Sequence, residues 1–323
     1  MVAGSQAKLI SVIVPFYNEV KMLPNTLEQL RRDTGQLSCE VLLVDSSSTD
    51  ESAQLIDSFT AEHRLEHFRR ITTTAKNPGD ARNHGVELAQ GEYVAFLDCG
   101  LDVIPQWLLL QLNQLRHSPN KSWISGFVTC EGEGLIDQCA IANTYGLGRS
   151  RPALPGSLVP RQMFLEVGRF PALRAGEDGE WIYQAARAGW NRILNSHVTV
   201  RYRGTAYSEN LLKLFVKSFR YSIPGIQLQI KTRYLLHSGL VSAFLTIGLF
   251  DFDFKLLILI YFALRIFVAA GKSRRRLIPL LTPVKLAALI LTFCVIDVGR
   301  QIGFWVGVIQ FGFRKITRTE TSS

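Results

Sequence analysis

Leu9-Ile-Ser-Val-Ile-Val14, followed at once by Pro15-Phe-Tyr-Asn-Glu19, is the stretch that decides the fold. A continuous apolar, β-branched run of this length reads as a strand buried on both faces, and the proline ends it. The pattern returns twice. Glu40-Val-Leu-Leu-Val44 runs into Asp45, and Tyr93-Val-Ala-Phe-Leu97 runs into Asp98. Between these runs the spacing becomes helical: Asn18–Arg32 (Val20, Leu23, Leu27, Leu30), Ser52–His63 (Ala53, Leu55, Ile56, Phe59), and Asp80–Ala89 after the turn Asn77-Pro-Gly79. Phe68–Thr73 reads as a further short strand. Strands alternating with helices at this spacing predict an α/β fold with a doubly wound, mostly parallel sheet flanked by helices. Ligands of such sheets bind beyond the carboxyl ends of the strands, which is where Asp45 and Asp98 fall.

Downstream the pattern thins. A helix is expected at Gln106–Leu115, then less regular sequence to about Pro160, helices at Gln162–Val167 and Asp178–Ala188, and a strand-like Val198–Tyr202. These would close the sheet and build a further wall beside it.

The charge is unevenly placed. Residues 1–232 hold 24 Lys+Arg against 23 Asp+Glu, whereas residues 233–323 hold 12 against 4. The excess that makes the net charge +9 therefore lies beside apolar segments and not on residues 1–232. That pattern marks cytoplasmic membrane loops and argues against a nucleic-acid partner. The five cysteines contain no C-x-x-C pair, which fits a reduced compartment. Leu9–Phe16 is too short and too interrupted for a signal peptide.

In the basic C-terminal part, Tyr234–Phe250 and Leu256–Ala270 are apolar runs joined by Asp251-Phe-Asp-Phe-Lys255, a candidate hairpin turn. Lys272-Ser-Arg-Arg-Arg276 follows, and the positive-inside rule places it in the cytoplasm. Leu277–Phe313 is expected to return to the same side as a bent or re-entrant pair, or to lie along the interface. Pro279, Pro283, Lys285, Asp297 and Arg300 argue against one simple span, and Asp297 and Arg300 are spaced to pair. The plainer reading, buried helices of a soluble domain, does not account for so concentrated a positive charge.

Five short motifs follow one another in order: Val14-Pro-Phe-Tyr-Asn-Glu19, Val44-Asp-Ser-Ser-Ser-Thr-Asp50, Asp80-Ala-Arg-Asn-His-Gly85, Gly91-Glu-Tyr-Val-Ala-Phe-Leu-Asp98 and Ala175-Gly-Glu-Asp-Gly179. An aspartate after a strand is on its own as much a turn residue as a ligand. The series over residues 9–205, however, resembles the inverting family 2 glycosyltransferases, with their nucleotide-sugar-binding, Rossmann-like GT-A fold. The resemblance implies that Pro15, Tyr17, Glu19, Asp45, Arg82 and Asp98 bind the nucleotide. It further implies that Asp178 is the general base, that Glu177 orders the acceptor, and that a divalent cation (Mg²⁺ or Mn²⁺) joins Asp98 to the diphosphate. Arg203 is a further candidate on the acceptor side.

Two departures stand out. Ser46 and Ser47 occupy the second and third places of a loop that in the family commonly reads D-D-G-S-T-D. The D-x-D diphosphate motif reads Asp98-Cys-Gly100, which leaves one carboxylate of two and weakens the expected metal site. Lys217-Ser-Phe-Arg-Tyr221 lacks the Gln and Trp of the processive Q-x-x-R-W motif, which favours single or few additions.

The resulting expectation is a cytosolic catalytic domain over 1–232, a membrane-associated helical region over 233–316 and a polar tail over 317–323. The chain would be multi-pass at the inner membrane. It would move a sugar from a nucleotide-diphosphate donor to a hydroxyl of a membrane-associated glycan or lipid-linked acceptor in cell-surface polysaccharide assembly. The alternatives are a polyprenyl-phosphate glycosyltransferase and a non-catalytic membrane scaffold that keeps the fold.

Overall fold

A computed structural model describes residues 10–35, 37–195, 200–203, 210–226 and 254–320. The chain forms two compact units. The first comprises Met1–Thr129, Ser150–Leu173 and Glu177–Tyr202, and the second Cys130–Arg149, Arg174–Gly176 and Arg203–Ser323.

The first unit is built on a mixed sheet. The runs read as buried strands form β1 (Ile10–Phe16), β2 (Cys39–Asp45) and β4 (Tyr93–Phe96), with β3 (Phe68–Thr72) on the outside of β2. These four lie parallel in the order β3-β2-β1-β4. The positions of β1, β2 and β4 are almost wholly inaccessible, as a sheet covered on both faces requires, whereas edge strand β3 is largely exposed. Helices α1 (Leu23–Thr34), α2 (Ser52–Glu62) and α3 (Pro78–Leu88) make the crossovers.

Beyond β4 the sheet becomes mostly antiparallel, and here the structure supplies what the thinning pattern concealed. β5 (Asp102–Val103) and α4 (Trp107–Arg116) are followed by β6 (Ser122–Glu131), α5 (Leu135–Thr144) and β7 (Ser150–Pro160), so residues 117–160 are as regular as the rest. β7 inserts antiparallel between β4 and β6. After α6 (Gln162–Val167) and α7 (Glu177–Arg187), β8 (Asn191–Leu194) pairs parallel with β6, and β9 (Val200–Arg203) pairs antiparallel with β5. The core beneath the site is aromatic. Phe164 stacks on Trp181 at 4.6 Å, and Phe170 lies 5.5 Å from Phe96.

One helix starts later than its apolar spacing suggests. Asn18 has φ +54°, and α1 begins only at Leu23. The Asn18 side chain accepts from the Thr49 N–H in the loop after β2, so residue 18 is committed to that loop and not to a helix.

In the second unit, α8 (Leu211–Ser222) leads into a short 3₁₀ segment (Ile223–Ile226), and α9 (Phe254–Ser273) and α10 (Pro283–Glu320) are joined by a 3₁₀ turn, Arg274–Leu280. The apolar run at 234–250 and the hairpin at 251–253 lie outside the described residues. The expectation of a bent or re-entrant pair over Leu277–Phe313 is corrected: from Pro283 onward the chain is one helix of 38 residues. Pro283 does not break it because it stands in the first turn, where no backbone N–H is needed. Asp297 does not break it because it is paired with α9. Arg265 Nε lies 2.8 Å from Asp297 Oδ2 and Tyr261 Oη donates to the same oxygen at 2.6 Å, whereas Arg300, the partner expected from spacing, stands 4.0 Å away. Among the described residues one helix is long and apolar enough to cross a membrane, over Pro283–Gln310. Its 28 residues span about 42 Å, more than the roughly 30 Å hydrocarbon core.

α10 meets α8 and the 3₁₀ segment after it through Gly299, Gly303 and Gly307, spaced one turn apart. A Cβ on Gly303 would lie 2.1 Å from the carbonyl oxygen of Phe219, and one on Gly307 2.0 Å from that of Ile223. The helices touch backbone to backbone, so Gly303→Leu must drive them apart. It is expected to destabilise the chain by about 3 kcal/mol. Gly271→Ala, on α9 with open space around it, is expected to be neutral or to stabilise by up to about 1 kcal/mol. Thermal melting of both variants checks the contrast, and equal melting temperatures would refute the close contact.

Candidate functional site

The site is assembled at the carboxyl ends of β1, β2 and β4. Phe16 and Asp45 stand opposite each other as the last residues of β1 and β2. β1 lies between β2 and β4, so the ends of those two outer strands are about 10 Å apart.

The loops after β1 and β2 are stitched together. Asn18 Oδ1 accepts from the backbone N–H of Thr49 at 2.7 Å, and the Asn18 N–H donates to Ser48 Oγ at 2.9 Å. Asp45, buried, accepts from the Ser48 N–H at 2.8 Å. Asp50 accepts from Val20 and Ser52 N–H groups, and Ser47 Oγ donates to the Thr73 carbonyl at 2.8 Å. The two serines that depart from the family loop are therefore accommodated, and Asp45 is a turn-holding residue as well as a nucleotide candidate. Pro15 is partly buried beneath this floor, Tyr17 presents a ring 55% exposed above it, and Glu19 is half-buried. Burial, and then the neighbouring Asp50 carboxylate, push the Glu19 carboxyl up.

α3 brings in the next group. Asn77 caps the helix by accepting from the Asp80 N–H at 2.9 Å. Ala81 faces the core. Arg82 Nη2 donates to Asp98 Oδ1 at 2.6 Å, and its Nη1 donates to Glu177 Oε1 at 3.0 Å. Asn83 makes two bonds to the backbone of Phe170, both at 2.9 Å. Each residue of the Ala-Arg-Asn segment thus has a distinct task. The arginine, with a side chain 5% exposed, ties residues 16 and 95 positions away in sequence into one cluster. Burial works against its charge, but Asp98 and Glu177 hold the guanidinium above the ordinary arginine value. Burial raises the Glu177 carboxyl, against Arg82, which lowers it; Asp178 adds to the rise.

Asp178 lies in the first turn of α7, half-buried, with its Oδ1 accepting from the Gly179 N–H at 2.7 Å, and it acts electrostatically on both Arg82 and Glu177. The sequence reading missed Arg192. This β8 residue donates to Ser125 Oγ at 2.8 Å and lies over the Trp123 ring at 5.2 Å. Burial lowers its guanidinium, partly offset by Asp178, which puts a cation in electrostatic reach of the candidate base. Nothing in its local sequence marks it, because the pairing with β6 that delivers it is not a local signal. Arg203 lies in β9, and its side chain is outside the described residues.

The structure therefore gathers Arg82, Asp98, Glu177 and Asp178 closely, with Pro15, Tyr17, Glu19 and Asp45 on the adjoining strand ends. As a metal ligand Asp98 fits poorly. One oxygen is committed to Arg82, and the third motif position is Gly100, whose φ of +81° suits a glycine turn and offers no carboxylate. Asp102, the nearest acid in sequence, accepts from Asn25 at 2.8 Å and Gln29 at 3.3 Å. Among the described residues no three His, Cys, Asp or Glu side chains converge as a metal site. Cys99 is no nucleophile, since burial pushes its thiol up to about 12.

Residues 11–154 match the Glycosyl transferase family 2 model. An uncharacterized glycosyltransferase of Haemophilus influenzae is 28% identical over 222 residues, 65% of this chain and 86% of that protein. The poly(ribitol-phosphate) beta-N-acetylglucosaminyltransferase TarS of Staphylococcus aureus is 35% identical over 89 residues, 27% of this chain but only 15% of TarS. Among solved structures, the mannosyltransferase PcManGT of Pyrobaculum calidifontis, in complex with GDP-Man and Mn²⁺, superposes with a TM-score of 0.54 at 17% identity, covering 90% of this chain and 88% of that one. At that identity the likeness is one of fold alone. The fold is of the GT-A type, a mixed sheet flanked by helices, and together with the family match it supports a family 2 glycosyltransferase.

Proposed function

We propose that the protein transfers a sugar from a nucleotide-diphosphate donor to a hydroxyl group of a glycan or lipid-linked acceptor, with inversion at the anomeric carbon. The observation that carries this reading is the buried Arg82, which holds Asp98 and Glu177 together beside Asp178 at the strand ends.

In this reading the Tyr17 ring packs on the base, and Pro15, Glu19 and Asp45 line the nucleoside floor. Asp178 takes the proton from the acceptor hydroxyl as its oxygen attacks the anomeric carbon. The new C–O bond forms as the bond to the diphosphate breaks on the opposite face, and the nucleoside diphosphate departs with that bonding pair. One displacement inverts the configuration. Glu177, fixed by Arg82, orients the acceptor, and Arg203 lies on the acceptor side. No step is assigned to a metal.

The domain arrangement follows the same reading: a catalytic domain over 1–232, a membrane-associated region over 233–316 and a tail over 317–323. The apolar span Pro283–Gln310 and the C-terminal charge excess favour a membrane setting at the cytoplasmic face. A cell-surface polymer as the final product is suggested by the poly(ribitol-phosphate) named for TarS.

Isothermal titration with UDP and GDP, with and without Mn²⁺, tests the reading. Saturable binding of one nucleotide, weakened at least tenfold by Asp45→Ala, is expected. Binding of neither in either condition would leave a non-catalytic scaffold as the better account.

A further inference from the structure

The turn between α9 and α10 is divided into two faces. Leu277 and Leu280 are buried in a cluster with Leu289 and Phe293 and fix the turn in place. Ile278 (63% exposed), Leu281 (41%) and Val284 (78%) stand out from it. Arg274 and Arg275 at its start and Lys285 at its end are exposed as well. Arg276 is also exposed, but it packs against Gly148, where an added Cβ would collide with its guanidinium, and Lys272 Nζ donates to the Asn143 carbonyl at 2.9 Å. From Phe254 to Ile296 the sequence has seven Lys+Arg and no Asp or Glu.

We propose that this turn binds the phosphate headgroups of an anionic phospholipid bilayer, with Ile278, Leu281 and Val284 entering the acyl boundary and Arg274, Arg275 and Lys285 lying on the phosphates. Apolar side chains ringed by cations, with no acid among them, match a surface that is anionic outside and hydrocarbon within. The exposed apolar surface continues along both helices, through Leu264 and Phe267 on α9 and Leu291 and Val298 on α10. A nucleic acid or an acidic protein would meet the cations but leave that surface in water.

The inference rests on reading the C-terminal region as membrane-associated, and the two can fail separately. The full chain is reconstituted in phosphatidylcholine bilayers doped with spin-labelled phosphatidylglycerol or spin-labelled phosphatidylcholine, and the motionally restricted fraction of each is measured. Failure to reconstitute would defeat the membrane reading. A reconstituted chain with no preference for phosphatidylglycerol would defeat the turn alone. The expected result is a preference of about tenfold at low salt, since each cation at an anionic surface strengthens association by up to about fivefold. The preference should shrink in high salt. It should fall to about twofold or less in Arg274→Gln/Arg275→Gln/Lys285→Gln, whose exposed positions leave the fold intact. A preference unchanged in that variant overturns the proposal.

A second readout identifies what covers the apolar tip. A fluorophore on Val284→Cys is expected to be quenched by brominated lipid. A blue-shifted fluorophore that brominated lipid does not quench means that residues 234–250, or a second copy of the chain, cover the tip, and it overturns the proposal too.

Discussion

Arg82→Ala is expected to destabilise the chain by about 3 kcal/mol and to abolish nucleotide binding, because a buried ion cluster that loses the cation bridging Asp98 and Glu177 leaves charge uncompensated. Glu177 is the group most affected. Its side chain is 9% exposed and receives the 3.0 Å bond from Arg82, whereas Asp98 can turn toward water. The penalty should depend on pH with a definite sign. Glu177 already binds its proton more tightly in the folded state than in the unfolded chain, since burial outweighs Arg82. Removing Arg82 raises that affinity further. The variant's deficit should therefore be smallest at acid pH, where Glu177 is protonated in both states, and should grow as pH rises through its folded-state value. Arg82→Ala/Glu177→Gln, which removes the stranded charge, should regain much of the stability but not the nucleotide binding. Chemical denaturation between pH 4 and pH 8 reads all of this. A deficit independent of pH, or one that the double variant does not relieve, would mean that Arg82 acts by packing rather than by charge.

That cluster also marks how far the sequence could be read. β1, β2 and β4 were legible because a strand covered on both faces must be apolar throughout, and Leu9–Val14, Glu40–Val44 and Tyr93–Leu97 show that with little interruption. Asp45 and Asp98 followed, because a residue just beyond a strand end needs no further information to be placed. What joins Asp98 to Glu177 is a side chain from a third element, and the sequence contained Arg82 without showing where it pointed.

The stretch from His117 to Pro160 was illegible for a different reason. β7 contains Pro152, Pro155 and Gly156 and reads as a loop, yet it forms an eleven-residue strand. Its pairing with β6 shifts register between Ile124 and Gly126, and an irregularity of that kind lets a strand hold residues that a regular ladder rejects. α10 failed in the opposite sense. Asp297 looks like an interruption in an apolar helix until Arg265 and Tyr261 are found against it from α9. The glycines of α10 did carry a signal, since Gly299-x-x-x-Gly303-x-x-x-Gly307 is the small-residue spacing that permits close helix contact.

Asp178→Asn is expected to lower the turnover of transfer to a hydroxyl acceptor by roughly a thousandfold, within the range that a positioned general base contributes. The substitution keeps the shape of the side chain, and an amide oxygen can still accept from the Gly179 N–H as the carboxylate does at 2.7 Å. It removes the capacity to take a proton, together with the negative charge that acts on Arg82 and Glu177. Nucleotide affinity should change by no more than about twofold, since in the proposed mechanism Asp178 serves the acceptor and other loops hold the nucleoside. Those two results together separate chemistry from folding, because a misfolded variant would lose both. They also separate acceptors. A polyprenyl phosphate arrives as an anion and has no proton to surrender, so the same variant should transfer to it almost as fast as the parent chain. A screen of nucleotide sugars against membrane fractions, run with both proteins, supplies the donor and the comparison at once. If transfer to a hydroxyl survives in Asp178→Asn, another group takes that proton. Neither Arg82 nor Arg192, the two cations on which Asp178 acts, can be that group, since a guanidinium keeps its proton throughout the pH range of the reaction.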